Sequence, residues 1–222
     1  MLSRYSSRRL PGKALIEIEG KAVLQYITER LEQVFSKAQI VIATSIEASD
    51  DPIAAFAVAE GVKLYRGSLE NVANRFHNAA VQYKLDYATR INGDNIFVDT
   101  HLLAQMAKLA VQKDYDFLSN VKERTFPKGM SIEIVKTTHY STLLEAINAD
   151  SHYSEHVTLY LYEHESAGNY SFIKNDEHPE AAGIQFALDT KDDLERSRQL
   201  IKRFTRPHYQ YNLPDILELL KT

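Results

Sequence analysis

The chain contains no cysteine, which excludes disulfides, thiolate zinc sites and thiol nucleophiles and suits a reducing compartment. Six prolines and eight glycines in 222 residues are too few for a disordered or fibrous chain. No apolar run approaches the ~18 residues of a membrane-spanning helix. The first residues carry charge without the apolar stretch of a secretory signal. An excess of basic residues is also missing. The 26 Lys and Arg stand against 30 Asp and Glu, a formal charge of -4, which argues against a broad nucleic-acid-binding surface. What is present is 44% hydrophobic residues, enough for one substantial core. The expectation is a soluble, cytoplasmic protein with a single domain over residues 1–222.

Strands and helices alternate along the chain. Residues 21–36 set Val23, Leu24, Ile27, Leu31, Val34 and Phe35 on one helical face. The run from Gln39 to Thr44 is nearly all apolar, which marks a strand buried on both faces. Asp50-Asp51-Pro52 then opens a helix, with carboxylates and proline favoured in its first turn. Further strands are predicted at Val62–Tyr65, Tyr87–Ile91, Tyr115–Asn120, Ser131–Val135 and Gly183–Leu188. Helices are predicted at Asn71–Lys84, Thr100–Gln112, Thr137–Asn148, Lys191–Phe204 and Leu213–Leu220. The polar, tyrosine-rich stretch from 150 to 180 has no period and reads as an excursion from the sheet. This rhythm predicts βαβ units, a largely parallel sheet with helices on both faces, and a ligand site beyond the strands' carboxyl ends.

Several groups at those ends could do chemistry. The stretch from Arg4 through Ser7 and Arg9 to Gly12 and Lys13 combines cations, hydroxyls and a glycine, which suits a triphosphate-binding loop and equally a solvated basic segment. Asn92-Gly93-Asp94-Asn95 follows a strand. It reads either as a β-turn or as a turn that offers Asp94 to a divalent cation. Asp189 precedes a helix, so it is either an N-cap or a second metal ligand. Two carboxylates from separate strand ends can converge on one ion, which caps have no reason to do. Arg66, Ser68 and Arg75 surround another strand-to-helix turn, suited to phosphate contacts or to a solvated face. His152-x-x-Glu155-His156 matches a zinc-peptidase pattern, but the run reads poorly as a helix interior and no third ligand is evident.

Taken in order, these motifs resemble the cytidylyltransferases of the CMP-sugar synthetase superfamily, especially the spore-coat polysaccharide branch. The residues that carry the resemblance run from the Arg4–Lys13 segment through Val41–Ser45 and Arg66–Arg75 to Arg90–Asn95, Glu155–Thr158 and Leu188–Asp189. The resemblance implies a three-layer α/β/α nucleotidyltransferase fold, glycosyltransferase-A-like, with a mostly parallel sheet. Only Met1-Leu2-Ser3 precede the first motif, so the first strand is expected to be shortened. It also implies a homodimer with an arm at about 150–180, CTP as donor and Mg²⁺ as cofactor. Arg4, Ser7, Arg9, Gly12 and Lys13 would hold the triphosphate, with Thr44, Ser45 and Arg75 facing the nucleotide. Asp94 and Asp189 would bind metal, with Arg9, Lys13 and Asp94 as the catalytic set. Asn120, Glu155 and His156 would meet the acceptor, with Lys122, Arg124 and Lys128 nearby to suit an anion. The implied reaction transfers CMP to an acidic sugar for surface glycan assembly. A phosphorylated or phosphonate acceptor, and a non-catalytic nucleotide-binding protein, are the alternatives. Ile96 and Lys128 stand where relatives often carry proline and an acidic residue.

Overall fold

A tight hairpin of β1 (Glu17–Ile18) and β2 (Lys21–Ala22), which the sequence did not suggest, leads straight into α1 (Val23–Leu31). That helix ends five residues before the apolar periodicity does, because the chain leaves it through turns that still bring Val34 and Phe35 onto the core. The computed structural model describes all residues except Arg8 and Thr222; Arg8, part of the first motif, lies outside the described residues.

The central alternation follows. Strand β3 (Val41–Ser45) is buried throughout, and α2 (Asp51–Ala59) carries it over to β4 (Lys63–Gly67), its parallel partner. Helix α3 (Val72–Gln82) is capped by the Asn71 side chain, which accepts from the Asn74 N–H (2.8 Å). After β5 (Tyr87–Arg90), Asp99 caps α4 (Thr100–Gln112) by accepting from the Leu102 N–H (2.9 Å). Then come β6 (Phe117–Ser119), β7 (Glu133–Lys136) and α5 (Thr137–Asn148). Two short helices, α6 (Ser151–Glu155) and α7 (Leu159–Glu163), precede β8 (Tyr170–Phe172). Helices α8 (Lys191–Lys202) and α9 (Leu213–Lys221) close the chain.

Two stretches differ from expectation. The 150–180 stretch is not a pure excursion: Val157 and Leu161 are buried, and β8 pairs parallel with β6 at the sheet edge. Its three residues are too short to show an alternation. Gly183–Leu188 is not a strand, since only Gln185 bridges to Lys128 and the Phe186 and Ala187 N–H groups both turn to one carbonyl, that of Lys128.

The sheet consists of a β3–β4 pair and a β5–β7–β6–β8 group, in which only β7 runs antiparallel to its neighbours. The expected shortened first strand joins the two. Leu2 bridges in parallel to both Ala43 and Asn92. Its N–H donates to Ile91 O (2.9 Å), and its carbonyl accepts from the Gly93 N–H (2.8 Å). Adjacent strand residues face opposite layers. Ile42, Leu118 and Ile134 pack in one core with α1, α4, α8 and α9, while Val41, Phe117 and Val135 pack in the other with α3 and α5.

Arg30 is fully buried in the first layer and donates to the carbonyls of Val98 (3.2 Å), Tyr211 (2.9 Å) and His208 (2.6 Å). Burial lowers its pKa to about 10, with Asp99 opposing the shift, so it stays charged near neutrality. Arg30→Met would take the side-chain donor from all three and leave the Val98 and Tyr211 carbonyls unsatisfied, while His208 O keeps the Tyr211 N–H (3.2 Å). The expected outcome is a loss of ~3 kcal/mol, seen as a lower urea midpoint at unchanged slope.

Candidate active site

The loop after Leu2 is held from beneath by a buried carboxylate. Asp50 accepts from the Tyr5 N–H (2.7 Å), the Thr44 hydroxyl (2.8 Å) and the Ser45 N–H (2.9 Å). Burial alone would raise its pKa, but the hydrogen bonds from Ser45, Tyr5 and Thr44 outweigh burial and hold it below the ordinary value. The loop then folds back on itself. Gly12 sits at φ 68°, its N–H donates to Tyr5 O (3.0 Å), and a Cβ there would lie 3.0 Å from the Tyr5 ring. The Ser7 hydroxyl accepts from the Leu10 N–H (3.4 Å). Lys13 follows at the start of a single 3₁₀ turn.

Lys13 is the focus of the charge cluster. Its ammonium lies 2.7 Å from Asp94 Oδ2 and 3.2 Å from Asp189 Oδ1, and the Arg9 guanidinium lies 2.9 Å from the same Asp189 oxygen. Asp94 projects from the turn after β5, which packs against the chain's start so closely that a Cβ on Gly93 would fall 2.6 Å from Ser3 Oγ. Asp189 is brought alongside by the Leu188 N–H, which donates to Asp94 O (3.2 Å). The residue that caps α8 is Thr190, in a reciprocal capping box with Asp193, so the Asp189 carboxylate is left for the cluster.

These groups open onto a cleft of about 810 Å³ beyond the carboxyl ends of β4 and β5. Arg4, Ser6, Ser7, Arg9 and Lys13 of the N-terminal loop line one side, and Asn92, Gly93, Asp94 and Asp189 its base. Leu69, Val72 and Arg75 form a further wall, and Arg90, Glu155 and His156 the remaining one. Arg75 is buried and donates to the carbonyls of Ser68 and Leu69. Burial lowers its pKa to about 10, with Asp50 opposing and Arg4 adding to the shift, so it remains a cation.

The structure therefore brings together Arg4, Ser7, Arg9, Lys13, Arg75, Asp94, Asp189, Glu155 and His156, while Gly12 shapes the loop from behind. Thr44 and Ser45 do not line the cleft; they act one level down, as donors to Asp50. Asn120 does not line it either, since its buried amide accepts from the Ile132 N–H and donates to Met130 O. Lys122 pairs with Glu165, Arg66 pairs with Asp51, and Lys128 bridges Gln185, all away from the cleft walls. Sequence reasoning missed the clamp role of Asp50, read as a helix-opening carboxylate, and it missed Arg90 as a wall residue. Arg90 stood inside the motif with Asp94, and strand alternation was the signal available for it.

The profile of the cytidylyltransferase family matches residues 1–218. The chain belongs to the cytidylyltransferase family. Among relatives, the cytidylyltransferase is 30% identical over 207 residues to the spore coat polysaccharide biosynthesis protein SpsF of Bacillus subtilis, covering 90% of this chain and 84% of that one. Among solved structures, a cytidylyltransferase from Leptospira borgpetersenii superposes with a TM-score of 0.89 at 28% identity, over 99% of this chain and 91% of that one. A CMP:2-keto-3-deoxy-manno-octonic acid synthetase complexed with CTP shares the fold, with a TM-score of 0.65 at 18% identity over 91% of this chain and 96% of that one.

The donor set of the cytidylyltransferase suits a divalent cation. The Lys13 ammonium already occupies a position shared by two carboxylates from separate segments, so that position favours positive charge. Among the described residues no cluster of three or more His, Cys, Asp or Glu could hold a metal alone. Two carboxylates completed by phosphate oxygens and water are the arrangement Mg²⁺ commonly takes at nucleotide sites.

Asp50→Asn replaces an acceptor-only group with an amide facing three donors, so the phosphate loop should loosen. CTP affinity in calorimetry is expected to fall about tenfold. The pH dependence has a fixed sign. A carboxylate with a lowered folded pKa contributes stability above its ordinary value of 3.8 and loses that contribution as the pH falls through the folded value. That part of acid unfolding should disappear in the variant.

Proposed function

We propose that this cytidylyltransferase transfers CMP from CTP to an acidic sugar of the nonulosonic or 3-deoxy-ulosonic type and releases pyrophosphate, in the assembly of a surface glycan. The observation that carries the reading is Lys13 held between Asp94 and Asp189, with Arg9 beside them, at the base of a cleft of about 810 Å³. That volume is in the range of sites that enclose a nucleotide with a small second substrate. Support for the acceptor class comes from the name of the SpsF relative, which concerns spore coat polysaccharide, and from that of the CTP-bound neighbour, which gives a 2-keto-3-deoxy sugar acid.

The mechanism follows from charge. The acceptor hydroxyl oxygen attacks the α-phosphorus of CTP in line and gives up its proton to water, while the bond to the β-phosphate oxygen breaks and pyrophosphate leaves with the electron pair. Arg4, Arg9 and Lys13 stabilise the charge that builds on the leaving group, helped by the loop's N–H groups and the Ser7 hydroxyl. Asp94 and Asp189 would hold Mg²⁺, which, when bound, neutralises phosphoryl oxygens and makes the phosphorus more electrophilic. Leu69, Val72 and Arg75 offer an apolar and cationic wall for the nucleoside, and Glu155 and His156 contact the acceptor. The protein performs no covalent step of its own; position and electrostatics do the work. A cytoplasmic homodimer fits this reading, because CTP is a cytoplasmic metabolite and none of the described helices is long and apolar enough to cross a membrane.

The test is CTP-dependent pyrophosphate release with Mg²⁺ over a panel of ulosonic and nonulosonic acids and simple phosphonates. Release with an acid is expected. Asp94→Ala and Lys13→Ala should each lower turnover by about 10²–10³-fold. A chelator should abolish release and added Mg²⁺ restore it. Near-normal turnover in Asp94→Ala would overturn the metal assignment.

A further inference from the structure

We propose that Arg90 reads the carboxylate of the acceptor and that Glu133 is the positioning residue that aims it; the inference rests on the acidic-sugar reading above and deepens it. Arg90 is the last residue of β5, four positions before Asp94, and its side chain lines the cleft. In the antiparallel β5–β7 ladder it stands directly opposite Glu133, and the two side chains form an ion pair. The exposures divide the labour: the Arg90 side chain is 18% accessible and that of Glu133 only 3%.

Glu133 is buried and meets three donors of the protein itself. One carboxylate oxygen accepts from the Thr158 hydroxyl (2.6 Å) and the Tyr162 hydroxyl (2.8 Å), and the other accepts from Arg90. Tyr162 is kept a donor, because burial and the Glu133 charge push its pKa well above the usual phenol range. Arg90, by contrast, has donors to spare. A guanidinium carries five N–H groups, one serves Glu133, and Nε has no acceptor in the protein. With Nη1 tied to Glu133 and Nε buried, Nη2 is the donor left to meet a carboxylate from the cleft.

The chemistry of the acceptor says where that carboxylate must lie. In a 2-keto sugar acid the carboxyl group is bonded to the carbon that bears the attacking hydroxyl. It must therefore sit beside the α-phosphorus and close to Asp94, not at a far end of the cleft. Among the described cations of the cleft, Arg4, Arg9 and Lys13 belong to the phosphate loop. Arg75 lies on a different wall with Leu69 and Val72, the wall assigned to the nucleoside. Arg90 shares its wall with Glu155 and His156, and Thr158 comes from the same segment as those two. Glu133 thus ties the carboxylate reader and the other acceptor contacts to one anchor.

The experiment is steady-state kinetics on the full chain with an accepted sugar acid and its carboxamide analogue, together with CTP calorimetry. In Arg90→Ala the acceptor KM should rise about 10²-fold, with CTP affinity unchanged. The wild-type preference for acid over carboxamide should collapse. Arg90→Lys, which keeps a partner for the buried Glu133, should retain the fold and part of the preference. Glu133→Gln should raise the acceptor KM about tenfold while CTP affinity holds. An unchanged acceptor KM in both Arg90 variants, or equal losses for acid and carboxamide, would overturn this inference alone. Wild-type release with phosphonates but with no acid would overturn this inference and the acidic-sugar reading together.

Discussion

The site depends on one seam. Leu2 is the bridge between the β3–β4 pair and the four remaining strands of the main sheet, and the residues around it carry the hydrogen bonds that hold the halves in register. The same few residues launch the phosphate loop and press against the turn that bears Asp94. A nucleotide site needs a cationic loop and a carboxylate turn at a set spacing, and here both are referred to one short piece of backbone. The close approach of Ser3 to Gly93 is the physical form of that constraint. A side chain at position 93 would press on Ser3 and on the Leu2 carbonyl and push the start of the loop away from the turn.

Burial separates the carboxylates into two kinds. Asp50 and Glu133 are deeply buried, and each meets three donors of the protein itself. Such groups would be expensive to bury unpaired, and saturated with hydrogen bonds they become rigid anchors. Asp94 and Asp189 are partly open and balance mobile cations instead. Their partners can exchange with an incoming ion or phosphate at little cost. One pair is saturated inside the protein, and the other opens onto the cleft.

The cations divide in a similar way. Arg30 lies at the bottom of a layer, bonded to backbone carbonyls, and belongs to the fold. Arg75 and Arg90 are each half committed, with one edge bonded inside the protein and another turned to the cleft. Arg4 and Arg9 are exposed, with Arg9 paired to Asp189 at 2.9 Å. A gradient from buried to exposed cations suits a reaction in which one substrate must be held still while charge moves onto a leaving group.

The sequence by itself determined whatever rests on local periodicity and on the chemistry of short motifs. Helices at Thr100–Gln112 and Thr137–Asn148 agree to the residue with the helical repeat, and the buried strand near Val41 shows as a continuous apolar run. The cationic Arg4–Lys13 loop and the Gly-Asp turn stood out because their residue types are unusual together. Tertiary structure alone decided which acidic residue does what. Asp50, Asp94 and Asp189 all sit near a strand end or a helix start, so nothing local distinguishes a clamp from a ligand. Only the approach of Tyr5 and Thr44 to one of them, and of Lys13 to the other two, does so. The same holds for the Arg90–Glu133 pair, the three-residue β8 and the misread strand at Gly183–Leu188. Their partners lie far away in sequence, and the energy of a contact depends on distance in space, which a one-dimensional pattern does not contain.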